Sequence, residues 1–219
     1  MATPIKIDIW SDIACPWCYI GKRRLEGALA QFGEAPVEIE YHSFELNPAA
    51  PVDFEGTQAD YLARHLGATP QQIAAMGQNV TATAKADGLD YRLADVKVTN
   101  TGKAHELIHF AKAHGKGAEM KERLLRAYFT EGRHVGHDDA LADLAAEVGL
   151  DRGAALAALT DGTYRQAVEA DKAQCTAIGV QGVPFYVVGG KYAISGAQPS
   201  ELFLRALRQV AAEQGGAGA

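Results

Sequence analysis

The residues best suited to chemistry are two cysteines in the segment Cys15-Pro16-Trp17-Cys18. An alternating apolar segment precedes them and a helical pattern follows, so Cys15 is predicted to be a helix N-cap and Pro16 the first helical residue. Backbone N–H groups and the partial positive charge at a helix N-terminus favour a thiolate. We therefore expect the pKa of Cys15 to lie well below the usual value of about 8.5. Cys18, one turn further on, is expected to be the resolving thiol.

A Cys-x-x-Cys segment is also half of a zinc site, because structural zinc takes four ligands. The chain has three cysteines and no second segment of this kind. The third, Cys175, lies in a helical stripe, where a free cysteine is typically a small buried apolar residue. Nothing in the sequence places the histidine pair at 105 and 109 together with the pair at 134 and 137. We expect a solvated helix face for the first pair and a helix N-cap at Asp138 beside the second. We predict no metal site.

A second signal is Pro184, which stands at the start of an apolar strand pattern. Proline has no N–H for a β-ladder, so its place in a strand needs a reason. Either it is a trans proline at a strand edge or start, or the Val183-Pro184 bond is cis. The residues alone leave both explanations open.

The elements that would position these residues follow the order βαβ, helices, ββα. Ile5, Ile7 and Ile9 alternate with Lys6, Asp8 and Trp10, and residues 37–44 alternate in the same way, so both segments are predicted strands. An apolar helical stripe runs through residues 16–32 between them. A strand, a helix and a strand at this separation predict a βαβ unit with parallel pairing. Glycines 189 and 190 separate two short strands of a predicted hairpin, and a helix opens near Pro199. Helical patterns fill the middle of the chain, at 57–66, from Thr69-Pro70 onward, and at 101–114, 116–131, 138–148, 151–159 and 164–178.

Composition excludes several classes of protein. The 219 residues are 47% hydrophobic, and 21 Lys and Arg against 27 Asp and Glu give a net charge of −6. A mildly acidic chain with no basic block is a poor nucleic-acid or membrane-surface binder, and we expect neither partner. The first residues alternate and carry charges, unlike a secretory signal, so we expect a cytoplasmic protein whose disulfides are transient.

The combination resembles the DsbA-like thioredoxin-domain family, in its cytoplasmic FrnE-like branch. The implied fold is α/β: a discontinuous thioredoxin fold over 1–46 and 180–214, with an all-helical insertion at 47–179 and a disordered tail at 215–219. The residues that carry the resemblance are Ser11-Asp12-Ile13-Ala14-Cys15-Pro16-Trp17-Cys18-Tyr19-Ile20-Gly21-Lys22, Ala127-Tyr128-Phe129, Gly182-Val183-Pro184-Phe185 and Ile194-Ser195-Gly196-Ala197-Gln198-Pro199.

The resemblance implies a thiol-disulfide oxidoreductase or isomerase that acts on protein or small-molecule disulfides. Cys15 would attack the substrate disulfide and Cys18 would resolve the mixed disulfide. Pro184 would be a cis-proline facing the pair, with the Val183 backbone binding an extended substrate segment. Pro16 and Trp17 would support the pair. No cofactor is implied beyond the dithiol, although glutathione could be a co-substrate.

Two other functions stay open. Kappa-class glutathione transferases and 2-hydroxychromene-2-carboxylate isomerases share the implied fold, and would make the chain a glutathione-dependent isomerase or transferase. A zinc-stabilised or chaperone-like binding module is the non-enzymatic alternative. By resemblance, Asn100, His105 and Gln198 are candidate substrate-binding residues. Asp12 either relays a proton to Cys18 or stabilises the loop. The apolar surface of the helices would also suit a homodimer.

Overall fold

The computed structural model describes residues 4–216. Its sheet has four strands in the order β2-β1-β3-β4. Strand β1 pairs parallel with β2 and antiparallel with β3, and β3 pairs antiparallel with β4, which confirms the predicted βαβ unit and hairpin. The strands are β1 (Ile5–Ser11), β2 (Val37–Ser43), β3 (Phe185–Val188) and β4 (Tyr192–Ser195).

Every helix that the sequence predicts is present within residues 4–216. Helix α1 connects β1 to β2, seven helices lie between β2 and β3, and α9 follows the hairpin, together with a 3-10 turn at Leu93–Asp95. The helices are α1 (Pro16–Leu29), α2 (Gln58–Leu66), α3 (Pro70–Ala86), α4 (Gly102–Ala113), α5 (Gly117–Phe129), α6 (Asp138–Glu147), α7 (Arg152–Asp161), α8 (Arg165–Ala177) and α9 (Ser200–Gly216).

Helix α1 packs into two hydrophobic cores at once. Its second half contributes Leu25 to a core with the isoleucines of β1 and with Phe203 of α9. Its first half contributes Ile20 to a larger core formed by helices α3 to α7, which includes Leu124 of α5. The N-terminus of α1, where the Cys-x-x-Cys segment stands, therefore lies where the sheet meets the helices.

Two boundaries differ from the sequence prediction. The N-cap of α6 is His137, and Asp138 is the first helical residue. Helix α9 continues to Gly216, two residues into the tail predicted at 215–219, and that tail stays a prediction. The rest of that tail lies outside the described residues. The division at 46 and 180 stays a prediction. None of the described helices has the length and apolar character needed to cross a membrane.

Candidate active site

The Cys-x-x-Cys segment begins α1 in the way that the sequence predicts. Cys15 is the N-cap with φ −89° and ψ 112°, and Pro16 is the first helical residue. All three cysteines are buried, and Cys15 and Cys18 are each 3% exposed. The backbone N–H of Cys18 donates to the carbonyl of Cys15 at 3.1 Å, which closes the first turn and holds both side chains on one side of the helix.

The Pro184 loop faces this turn. The Val183-Pro184 peptide bond is cis, and the thiol of Cys15 donates to the carbonyl oxygen of Val183 at 3.4 Å. The Pro184 carbonyl accepts a 2.8 Å hydrogen bond from the N–H of Gly196, at the end of β4. The hairpin therefore fixes the loop, and the loop presents a backbone carbonyl to the sulfur of Cys15.

The direction in which the pKa of Cys15 is shifted differs from the one that the sequence predicts. A hydrogen bond to Cys18 and burial raise the pKa of Cys15. Burial opposes ionisation of Cys18, but hydrogen bonding from Cys15 and the charge of Lys121 outweigh it and lower the Cys18 pKa. The predicted low pKa of Cys15 is wrong for this arrangement, because the hydrogen bond to the Cys18 thiol and burial raise the pKa by more than the backbone N–H of Cys18 lowers it.

Lys121 is a functional candidate that the sequence analysis missed. It projects from the middle of α5, is 1% exposed, and donates from Nζ to the Ser11 carbonyl at 3.1 Å. Burial lowers its pKa. The sequence could have indicated that Lys121 is buried. It stands three, four and seven residues before Leu124, Leu125 and Tyr128, and this spacing places it on the same, buried face of the helix.

The side chain of Asp12 stabilises the loop before Cys15 through hydrogen bonds. Its carboxylate accepts hydrogen bonds from the backbone N–H groups of Leu46 at 2.8 Å and Ala14 at 3.4 Å, and contacts Nε2 of His105 at 3.2 Å. Burial favours the neutral acid, but these hydrogen bonds outweigh it and lower the pKa of Asp12. The arrangement favours loop stabilisation over proton relay, because each carboxylate oxygen already has partners.

Two aromatic residues flank the first turn of α1. Trp17, the aromatic residue of the Cys-x-x-Cys segment, is 37% exposed. Tyr91, which precedes the 3-10 turn, donates from its hydroxyl to the Pro16 carbonyl at 2.6 Å and stacks on Phe129 of α5. The sequence pattern gave no reason to connect Tyr91 with the active site, because the two segments are 75 residues apart.

The three residues proposed to bind substrate occupy different surroundings. Asn100 uses its side chain to accept from the N–H of Gly102 and to donate to the Pro48 carbonyl. His105 is 1% exposed and contacts Asp12. Gln198 donates to the Ser195 carbonyl after the hairpin. Their substrate-binding role stays a prediction, and the geometry favours structural support for Asn100 and His105.

A cavity of about 200 Å³ adjoins the loop before Cys15. It lies between that loop, the segment after β2, helix α2 and the start of α4. Its lining is mainly apolar, with a few polar groups. The lining residues include Asp12, Ala14, Leu46, Tyr61, Leu62, Val98, Thr101 and Tyr128.

The histidines form two separate groups. His134 and His137 stack on each other and approach the carboxylate of Asp53, and within residues 4–216 these three side chains are the set close enough to share a metal ion. The N–H of Gly136 donates to Nδ1 of His134, which leaves Nε2 protonated and pointing at the Val52 carbonyl. Hydrogen bonding therefore accounts for this cluster, and neither Cys15 nor Cys18 belongs to it.

The second histidine group is a buried network across β1, β2, α4 and α8. His42 bonds Asp8 at 2.8 Å and Asp171 at 3.0 Å, and His109 bonds Asp171 at 3.0 Å. The sequence analysis assigned His109 to a solvated helix face, and this is wrong because the ring turns inward to Asp171. The sequence could have indicated a buried polar network, because Asp171 shares the buried stripe of α8 with Val168 and Cys175.

Comparisons with known proteins show the family of this chain. Residues 6–208 match the model of the DSBA-like thioredoxin domain. The chain belongs to the DSBA-like thioredoxin domain family. This DSBA-like protein is 30% identical to the uncharacterized protein YwbO of Bacillus subtilis (strain 168) over 210 residues, which are 93% of this chain and 96% of YwbO.

Solved structures support the same family assignment. A probable DsbA oxidoreductase from Streptomyces coelicolor is 39% identical, with a TM-score of 0.90 over 95% of this DSBA-like chain and 91% of that one. A 2-hydroxychromene-2-carboxylate isomerase superposes with a TM-score of 0.71 at 15% identity, over 98% and 99% of the two chains. The cytosolic disulfide reductase DsbM from Pseudomonas aeruginosa gives 0.62 at 18% identity, over 95% and 96%. These last two likenesses show the fold alone.

Proposed function

We propose that this protein is a thiol-disulfide oxidoreductase whose redox group is the Cys15–Cys18 dithiol. The observation that carries the proposal is the position of Cys15, which caps α1 with its sulfur 3.4 Å from the carbonyl of Val183. An extended substrate segment could pair with the Val183 backbone as an added strand. Membership in the DSBA-like family supports the same chemistry.

The reaction follows from two sulfur exchanges. The Cys15 thiolate attacks one sulfur of a substrate disulfide, a mixed disulfide forms, and the other substrate sulfur leaves as a thiolate. Cys18 then attacks the Cys15 sulfur, so that the protein disulfide forms and the second substrate thiolate leaves. The dithiol loses two electrons and the substrate gains them. A further thiol, such as glutathione, must return the electrons before the next turnover.

The state of the cysteines in redox buffer tests this proposal. The protein is equilibrated with mixtures of reduced and oxidised glutathione, quenched with an alkylating reagent and analysed by mass spectrometry. We expect an intramolecular Cys15–Cys18 disulfide at a defined potential. Cys15→Ser should abolish all oxidation of the pair, and Cys18→Ser should stop at a mixed disulfide on Cys15. If the wild-type protein forms no disulfide at all across the whole range, the proposal is wrong.

A glutathione-dependent isomerase or transferase is the second candidate. The apolar cavity beside Ala14 and Asp12 favours it, because a small apolar substrate could lie there beside the loop that leads into Cys15. This function predicts saturable glutathione binding and an activity that survives Cys18→Ser. The dithiol mechanism predicts loss of turnover in that variant, so one substitution separates the two candidates.

We propose a reducing, cytoplasmic setting and no resident cofactor. Metal analysis of the purified protein tests the alternative zinc site, which would need two ligands in addition to Cys15 and Cys18. Zinc bound in equimolar amount and released by Cys15→Ser would support the binding-module alternative instead.

A further inference from the structure

The loop that places the Val183 backbone beside Cys15 is held at its two ends by structure outside the dithiol. Before the loop, the N–H of Val180 donates at 3.1 Å to a carbonyl in the last turn of α8. After the loop, β3 begins with Phe185, whose antiparallel partner on β1 is Trp10. Two residues of the loop are glycines, which contribute no side chain to anchor it. The position of the loop therefore depends on α8 and on the start of β3.

His42 of β2 contacts the supports of both ends. Nδ1 of its ring lies 3.0 Å from a carboxylate oxygen of Asp171, in α8. The ring also stacks on the indole of Trp10, with centroids 4.6 Å apart and an angle of 16° between the planes. The indole in turn packs edge-on against Phe185, at a centroid distance of 6.4 Å. One side chain therefore connects the helix before the loop with the strand after it.

The hydrogen bonds of His42 determine its charge. Nε2 lies 2.8 Å from Asp8, so each ring nitrogen faces a carboxylate. Asp8 also pairs with Lys6, and Asp171 accepts from a backbone N–H of β2 at 2.7 Å. Since these partners keep both carboxylates ionised, and a carboxylate can only accept, both ring nitrogens carry a proton. The ring is an imidazolium, and its stack on Trp10 is a contact of the cation–π kind.

The indole nitrogen of Trp10 supports the importance of this stack. Trp10 is 2% exposed, and its Nε1–H has no hydrogen-bond acceptor within residues 4–216. A buried donor without an acceptor is destabilising, so the contribution of Trp10 to the fold must come from its ring. The aromatic partners of that ring are His42 and Phe185.

The charged groups around His42 have partners, and two carboxylates bond the ring itself. Burial disfavours the charged ring, but the hydrogen bonds to Asp171 and Asp8 outweigh it and raise the pKa of His42. The titratable and charged groups on the elements packed around this ring are Asp8 and Lys6 of β1, Glu40 of β2, His109 and Lys112 of α4, Lys121 of α5, and Asp171 and Lys172 of α8.

We propose that His42 is a positioning residue for disulfide exchange, whose protonated ring holds α8 and Trp10 together and so fixes the loop that places the Val183 backbone beside Cys15. This inference rests on the proposed dithiol function. When the ring loses a proton, one nitrogen presents a lone pair to a carboxylate and the contact with Trp10 weakens. The loop should then be held less firmly, so that an extended substrate pairs with it less well at higher pH.

Exchange rates with two disulfides test the proposal. The first is an extended peptide whose one cysteine carries glutathione as a mixed disulfide. The second is 2,2′-dithiodipyridine, which has no backbone to pair with Val183. We expect His42→Gln to slow the peptide reaction about fivefold or more at pH 6, and to leave the dithiodipyridine reaction within about twofold of wild type. The deficit should shrink as pH rises, because the wild-type ring then loses the proton that the variant never has.

His109→Gln is the matched control, since His109 also bonds Asp171, at 3.0 Å, but is not an aromatic partner of Trp10. Its peptide reaction should stay within about twofold of the wild-type rate. An unchanged peptide rate in His42→Gln, an equal loss with both disulfides, or an equal loss in His109→Gln would overturn the inference and leave the proposed function intact. A wild-type protein that forms no intramolecular disulfide would instead overturn the proposed function.

A measurement on the wild-type protein covers the case in which His42→Gln does not fold. Nitrogen-15 NMR of the His42 ring should show both nitrogens protonated at pH 6. As pH rises, the amide signals of Gln181 and Val183 should shift with the same midpoint as the ring. A neutral His42 ring at pH 6, or loop amides that do not follow its titration, would overturn the inference.

Discussion

Nε2 of His105 lies 3.2 Å from Oδ1 of Asp12, and each of these residues is only 1% exposed. The contact joins α4 to the loop that leads into Cys15. The other oxygen of Asp12 accepts from the N–H of Leu46, in the segment that leaves β2. One carboxylate therefore connects three parts of the chain directly behind the active site, so the geometry at Cys15 depends on the helices as well as on the sheet.

We expect Asp12→Ala to lower the free energy of unfolding by about 3 kcal/mol or more, because it leaves several buried donors without an acceptor at about 1–3 kcal/mol each. Asp12→Asn, which keeps one carbonyl oxygen, should be less damaging. Urea unfolding at pH 7 measures both. Asp90→Ala, at an exposed position, is the control and should change stability by no more than about 0.5 kcal/mol. Equal stability of Asp12→Ala and Asp90→Ala would contradict this account of Asp12.

The network around His42 predicts a specific pH dependence of stability. Burial disfavours the protonated ring, but hydrogen bonds to Asp171 and Asp8 outweigh it and raise the His42 pKa. Burial also acts against the Asp171 carboxylate, but His109 and His42 outweigh it and lower its pKa. The His42 contribution is therefore complete below the unfolded pKa of about 6.5 and is lost as pH rises through the folded-state value. The Asp171 contribution is present above about pH 3.9 and is lost in acid.

We expect the network to stabilise the protein most between about pH 4 and 6.5, the unfolded pKa values of aspartate and histidine. Urea unfolding from pH 5 to 9 should show stability declining above pH 6.5 in the wild-type protein. His42→Gln should be less stable at pH 6 and should lose part of that decline. His65→Gln makes the same change at an exposed histidine and should leave the profile unaltered. If His42→Gln and wild type have parallel profiles, the raised pKa is not real.

Most of the fold was predictable because its signals are local. Alternation gives β1 and β2, and Thr69 followed by Pro70 gives the start of α3, where the threonine side chain caps the helix. The position of Cys15 as N-cap is equally local. These features depend on residues within a few positions of one another, so a single sequence contains them.

The surroundings of the dithiol were less predictable, because they depend on long-range packing. Lys121 and Tyr91 reach the active site from segments that are distant in the chain. The direction of the Cys15 thiol depends on the carbonyl of Val183, 168 residues away. Helix-terminus arguments predicted a low pKa at Cys15, but they could not include the hydrogen bond to the Cys18 thiol or the burial of Cys15, which raise that pKa.

Cys175 is expected to be inert in the folded protein. It is 2% exposed, and burial together with the negative charge of Asp171 raises its pKa, so little thiolate is available. Iodoacetamide at pH 8 should leave Cys175 unmodified in native protein and should alkylate it fully in 6–8 M urea, as peptide mass spectrometry would show. Cys175→Ala should form the Cys15–Cys18 disulfide at the wild-type potential. A changed potential would mean that Cys175 takes part in the redox chemistry.

Gly21 is a point at which α1 packs closely against Tyr186 and Pro184. A Cβ atom at this position would lie 2.2 Å from the hydroxyl oxygen of Tyr186 and 3.1 Å from Cγ of Pro184. Gly77, in the interior of α3, offers a comparison, because the nearest atom to a Cβ there is 3.9 Å away, on Leu93. The same substitution therefore meets a close contact in one helix and open space in the other.

Gly21→Ala should lower the free energy of unfolding by about 1–3 kcal/mol through overpacking. Gly77→Ala should raise it by about 0.5–1 kcal/mol, since alanine is the better helix former. Gly21→Ala should also slow formation of the Cys15–Cys18 disulfide, because the added methyl group displaces Tyr186 or Pro184 from the dithiol, whereas Gly77→Ala should keep the wild-type rate. Urea unfolding and quenched glutathione oxidation measure the two effects. Equal stabilisation by both substitutions would show that α1 and the Pro184 loop are not in this close contact in solution.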